Sequence, residues 1–171
     1  GGVCTVPPLG VPGGALTAEA WSAEGALDAD PVYQRRIALD SGGVSVTTTI
    51  VSNATTPVCE LVDAVPLFLF DALQAAPPSP AIRLVLADGA RVDATTEWVA
   101  AVAVEVERND GAIVLTLDQV RRVRLSPEVW TNSYQTWQNQ RTLHLDARDG
   151  VADCTPLPAT VAIGWRLAVL R

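Results

Sequence analysis

Trp98-Val-Ala-Ala-Val-Ala-Val-Glu-Val-Glu-Arg-Asn-Asp-Gly-Ala-Ile-Val-Leu-Thr-Leu117 is the stretch that decides the fold. Two runs rich in β-branched residues are separated by Asn109-Asp110-Gly111, a turn signal that joins antiparallel strands. In the first run Trp98, Ala100, Val102, Val104 and Val106 fall on one face, and Glu105 and Glu107 fall on the other. That period of two is the signature of a half-buried strand, with the valine face turned inward.

The same pattern recurs on both sides. Arg35 to Leu39 pairs through Asp40-Ser-Gly-Gly43 with Val44 to Ile50, where Val44, Val46, Thr48 and Ile50 alternate with Ser45, Thr47 and Thr49. Leu61 to Phe70 is nearly continuous apolar sequence, which predicts a strand buried on both faces, with Pro66 marking a bulge or an edge. Ile82 to Leu86 turns at Asp88-Gly89 into Arg91-Val92-Asp93. Further strands are expected over Val120 to Leu125, Tyr134 to Asp146 and Thr160 to Leu170; one helical turn is expected at Ala72 to Ala76. About ten short strands without an amphipathic helix predict an all-β, antiparallel β-sandwich of jelly-roll or supersandwich type. Residues 1–14, with five glycines and three prolines, read as an extended arm or linker, which leaves 15–171 as a single domain.

Composition limits the function classes. A formal net charge of −7 opposes nucleic acid and anionic membrane surfaces as partners, since both require clustered basic charge. The short basic run Arg121-Arg122-Val123-Arg124 alternates along a strand, sending Arg122 and Arg124 to one face, which reads as solvated. No apolar run approaches the ~20 residues that span a bilayer. Apolar residues make up 49% of the chain, which reads either as a rich core or as surface covered by a neighbouring domain or subunit. The chain lacks methionine even at position 1, which reads as a processed or excised piece. Three cysteines, Cys4, Cys59 and Cys154, allow one disulfide in any of three pairings, with one thiol left over. Asn53-Ala-Thr matches a glycosylation sequon, a triplet that also arises by chance and matters only in a glycosylating secretory route. Cysteine usage points toward an exported protein at the cell surface or beyond it.

Catalytic and metal motifs are absent. The single histidine, His144, lies two residues from Asp146 on one strand face beside Thr142, and no nucleophile elbow accompanies it. Asp88, Asp110 and Asp149 each precede a glycine, so turn chemistry accounts for them. One histidine and three scattered cysteines make no zinc pattern, and the glycine runs are too short to cradle phosphate. Neither a cofactor nor catalytic activity is expected of this chain alone.

One segment points to a ligand. Residues 126–140 hold Trp130, Tyr134 and Trp137 among hydroxyls and amides. Flat rings stack on a pyranose face, and planar amides both donate to and accept from sugar hydroxyls. Trp130 and Tyr134 with Gln138 are the candidate glycan contacts, and Arg141 joins them if a bulge shifts the alternation. A Trp-Tyr cluster that packs a loop onto the sheet edge is the competing reading.

The run Tyr33-Gln-Arg-Arg-Ile-Ala-Leu-Asp-Ser-Gly-Gly-Val-Ser-Val and the segment Glu60-Leu-Val-Asp-Ala-Val-Pro-Leu are similar to the β-sandwich regions of heparinase-like polysaccharide lyases and related secreted carbohydrate-active proteins. Val123-Arg-Leu-Ser-Pro-Glu-Val-Trp and Leu157-Pro-Ala-Thr-Val-Ala-Ile-Gly-Trp resemble late strands of such sandwiches. No catalytic motif of that family matches, and its α/α-toroid has no counterpart here. The resemblance implies an accessory sandwich that packs on a neighbour and lines a glycan cleft. The alternative is a structural subunit of an extracellular filament or surface layer, whose N-terminal arm engages the next subunit.

Overall fold

The computed structural model describes residues 32–51, 57–68, 81–108, 111–127, 140–148, 154–156 and 160–170. Every regular element among them is a strand: β1 (Val32–Asp40), β2 (Gly43–Val51), β3 (Pro57–Val58), β4 (Val62–Phe68), β5 (Ile82–Val85), β6 (Arg91–Asp93), β7 (Val99–Arg108), β8 (Gly111–Leu125), β9 (Gln140–Asp146), β10 (Thr155–Pro156) and β11 (Thr160–Leu170). The registered pairs are antiparallel, as the turn signals require. The expected arm at 1–14, the helical turn at Ala72–Ala76 and the aromatics Trp130, Tyr134 and Trp137 lie outside the described residues.

The chain divides into two compact units, the first made of 1–61 and 147–166, the second of 62–146 and 167–171. In the first unit β1 and β2 form the expected hairpin, with Asp40 opposite Gly43 across the two-residue turn Ser41-Gly42. β2 buries Val46, Thr48 and Ile50 on one face, the period-two pattern of its sequence. The Asp40 carboxylate accepts the Gly42 amide at 2.7 Å and the Arg166 guanidinium, which also donates to Ser45 Oγ at 2.7 Å. The hydrogen bond from Arg166, then the Gly42 amide, holds the Asp40 carboxyl below the usual carboxylate range.

Of the three possible cysteine pairings, the structure forms Cys59–Cys154, spanning 95 residues of sequence. Both of the chain's possible partners for Cys4 are therefore used. The disulfide is reinforced within the same unit. Thr155 pairs with Val58 and Pro156 with Pro57, the Ala147 amide donates to Leu61 O at 2.9 Å, and the buried Arg148 donates to Cys59 O at 2.7 Å.

In the second unit the strand order is β4-β9-β8-β7-β5-β6. One face is buried along aligned rows: Val65 opposite Leu143, Leu145 opposite Val123, and Leu115 opposite Val104, which is opposite Leu84. The β5–β6 connection is the predicted Asp88-Gly89 turn. Asp88 Oδ1 accepts the Ala90 amide at 2.9 Å, and Gly89 adopts φ 84°, which an L side chain resists.

Three expectations change in this unit. β4 is not buried on both faces: Val65 and Leu67 point inward, but Ala64 and Pro66 are exposed. Among the described residues Pro66's strand pairs with β9 alone, a position that tolerates a missing amide donor. The strands predicted over 113–117 and 120–125 are one strand, β8, interrupted by a bulge. Ala101 pairs with Arg121 and Ala103 with Thr116, so Val102 alone faces residues 117–120. This irregularity also reverses the alternation in β7. Ala101 joins Val104 and Val106 on the buried face, and Ala100 is exposed, so Trp98 belongs to the outward face instead of the valine face.

Candidate functional site

Antiparallel register assembles a polar surface from four strands of the second unit. Arg124 lies directly opposite His144, and Arg122 directly opposite Ala100. Thr142 and His144 face Pro66 and Ala64 across the β4–β9 pair. Arg122 and Arg124, two residues apart on one strand, project from the same side at a pitch of about 6.7 Å. The bulge brings Trp98 to that side, where the guanidinium carbons of Arg122 and Arg124 lie 5.3 and 4.4 Å from its ring centroid. The indole thus backs two cations, the arrangement that its ring quadrupole favours.

Asp146 completes the cluster. Its Oδ2 accepts Arg122 Nε at 2.8 Å and lies 2.8 Å from Nη2, and its side chain is 10% exposed against 43% for Arg122. Arg122 is exposed, as a solvated strand face requires, and it is also anchored by a buried acid. Arg124 Nη2 stands 3.4 Å from His144 Nδ1. A guanidinium has only donors, so a hydrogen bond at this contact would take Nδ1 as its acceptor. A catalytic triad needs the reverse, an Nδ1–H held by a carboxylate. The nearest acid on the strand, Asp146, engages Arg122.

Arg141, the one predicted glycan contact with a described side chain, shares its face with Leu143 and Leu145 because β4 and β9 pair without a register shift. It therefore lies on the opposite side from Thr142 and His144. Trp130 and Tyr134 precede β9 in the chain, and they and Gln138 lie outside the described residues. Trp98, Arg122 and Arg124 are the site residues that sequence reasoning missed. The one clue was Asp118-Gln119, two polar residues interrupting the alternation of β8.

A second concavity, of about 300 Å³, is lined by Ala81, Arg83, Arg91, Glu105, Glu107 and Leu170 among others. Its charges are committed to each other. Arg91 forms a bidentate pair with Glu105 at 2.8 and 2.9 Å, and Arg83 reaches Glu107 at 3.7 Å. The hydrogen bond from Arg91 holds the Glu105 carboxyl below its usual range. No group of three or more His, Cys, Asp or Glu among the described residues is placed to hold a metal ion. No helix among them is long and apolar enough to cross a membrane.

No family model, curated protein or solved structure matches this chain.

The exposed ion pairs carry a pH prediction. A carboxyl whose folded pKa lies below its unfolded value stabilises the fold above the unfolded value, and that contribution is lost as pH falls through the folded one. Asp40 and Glu105 are both of this kind. The doubly substituted Asp40→Asn, Glu105→Gln protein is expected to lose less stability than the wild type between about pH 4.5 and pH 2. Thermal melts followed by circular dichroism across that range check it, and parallel curves would refute it. Salt is expected to shrink the difference, since both pairs are exposed.

Proposed function

We propose that this chain is a non-catalytic β-sandwich module of an exported, carbohydrate-related protein, which packs on a neighbouring domain and contacts glycan. The observation that carries the reading is the outward face of the second unit. It displays an indole, two guanidiniums, a hydroxyl and an imidazole, with that imidazole turned toward a cation instead of a nucleophile. Such a face is suited to recognising a partner. The long-range disulfide in the first unit supports an oxidising compartment. The aromatic-amide segment that leads into β9 supplies the glycan contacts Trp130, Tyr134 and Gln138.

The test is a titration with soluble neutral and acidic glycans, read by tryptophan emission and calorimetry. At least one glycan class is expected to bind saturably, and Trp130→Ala or Tyr134→Ala is expected to weaken it about tenfold or more. An unchanged emission with every glycan class removes the carbohydrate reading.

A structural subunit of an extracellular assembly is the second reading. It is favoured by β1, which ends the recorded strand order beside β2 and carries a half-exposed Leu39. Mass photometry with and without residues 1–14 decides it: a monomer in both forms excludes the assembly.

A further inference from the structure

We propose that the Trp98–Arg122–Arg124 face binds an extended acidic peptide segment of a partner protein, with side-chain carboxylates at alternate positions seated on the two arginines. The proposal rests on reading this domain as a recognition module, and it specifies the chemistry of the neighbour that the module packs against.

Pitch is the first argument. Same-side residues two apart on an extended chain repeat every ~6.7 Å, and Arg122 and Arg124 are themselves such a pair. An acidic strand lying along β8 therefore presents its alternate carboxylates at the spacing of the guanidiniums, without strain in either chain. The second argument concerns the indole. Both guanidinium carbons lie over the Trp98 ring, at 5.3 and 4.4 Å. The ring serves as a platform for planar donor forks, and its face is engaged by cations where a sugar would need it open.

The third argument is carboxylate chemistry already present in the site. Asp146 binds Arg122 at 2.8 Å from below, and the 43% exposure of the Arg122 side chain lets a second acid approach it from solvent. The last is charge. The chain's net charge is −7, so an acidic partner is repelled by most of the surface and meets an exposed cation at Arg122. The neutral flanks Ala64, Pro66 and Ala100 set no like charge against it.

The experiment uses the whole chain and a fluorescein-labelled, end-blocked peptide of seven residues alternating glutamate with threonine, read by anisotropy. Saturable binding is expected, weakened roughly tenfold between 50 and 500 mM salt, and lost when glutamine replaces glutamate. Arg124→Gln is expected to weaken it about tenfold. Arg122→Gln is made together with Asp146→Asn, so that no buried carboxylate is left unpaired, and is expected to do the same. Melting temperatures of both variants establish that they are folded. If the peptide does not bind the folded wild type, or binds the arginine variants equally well, the proposal is overturned. It is equally overturned if polygalacturonate binds through these arginines and displaces the peptide completely at lower concentration, because the face is then a glycan site. Failure of the peptide while neutral glycans still bind through Trp130 and Tyr134 sinks this inference and leaves the module's proposed function standing.

Discussion

Replacing both Cys59 and Cys154 with alanine is expected to destabilise the protein by about 4.5 kcal/mol, seen as a fall in melting temperature of about 10–20 °C. The magnitude follows from the 95-residue separation of the two cysteines. A cross-link closing so long a loop removes more conformational freedom from the unfolded chain than a short one does. The native state gives a second reason. Cys154 sits at φ 56°, a left-handed conformation in which a Cβ crowds the following carbonyl. Without the cross-link that residue is free to relax, and the two-residue ladder of β3 and β10 lies directly beside it. Reduction with a strong thiol is expected to reproduce the loss. Hydrogen exchange localises it: the Ala147 amide, which donates to Leu61 O, is expected to lose protection before the β1–β2 hairpin does. A melting temperature within about 2 °C of the wild type would show that Arg148 and the short ladder hold these segments without the disulfide.

The hairpins were legible because their turns are local. Asp40 to Gly43, Asp88-Gly89 and the connection from Arg108 to Gly111 each carry their geometry in two to four residues, and the flanking periods of two agree with them. Residue type alone misled at β4. Ala64 and Pro66 are apolar and therefore extended the hydrophobic run, yet both are exposed, because small or ring-closed residues cost little on an outer face. Trp98 was misplaced for a different reason. A face assignment propagates parity along the strand, and a single irregularity at Val102 inverts it for every residue beyond. The Arg122–Asp146 pair could not be read at all. It joins residues 24 apart, and only the register of β8 on β9 brings them together. The candidate site is therefore a product of register, and its residues looked like ordinary strand surface.

The bulge that inverts β7 has an identifiable anchor, and Asp118→Ala is expected to cost about 3 kcal/mol. Arg121 occupies an inward position with a side chain only 2% exposed, and its Nε and Nη2 donate to Asp118 Oδ1 and Oδ2 at 2.7 and 2.8 Å. Asp118 lies within the excursion at 117–120 and Arg121 is the first paired residue after it, so the pair ties the excursion down across three positions. Deleting the carboxylate takes the bidentate acceptor from a guanidinium where water reaches poorly, the costly way to break an ion pair. The estimate is taken at the low end of the usual range because Asp118 is 39% exposed, so solvent recovers part of the loss. Asp118→Asn keeps one acceptor and is expected to cost about 1 kcal/mol. Combining Asp118→Ala with Arg121→Met removes both charges, and it is expected to return stability to within about 1 kcal/mol of the wild type, since methionine suits the apolar surroundings of Val123 and Leu117. Urea denaturation of the wild type, Asp118→Ala, Arg121→Met and the double variant forms a double-mutant cycle with a coupling of at least about 2 kcal/mol. A coupling near zero would mean that Leu117 and Val123 hold the bulge by packing alone. The same proteins link stability to recognition. Trp98 meets Arg122 and Arg124 because of this bulge, so if Asp118 holds it, Asp118→Ala is expected to weaken the acidic peptide even where the protein remains folded. Equal peptide affinity in the doubly substituted protein and the wild type would show that the bulge survives without its ion pair, leaving Asp118 and Arg121 a role in stability alone.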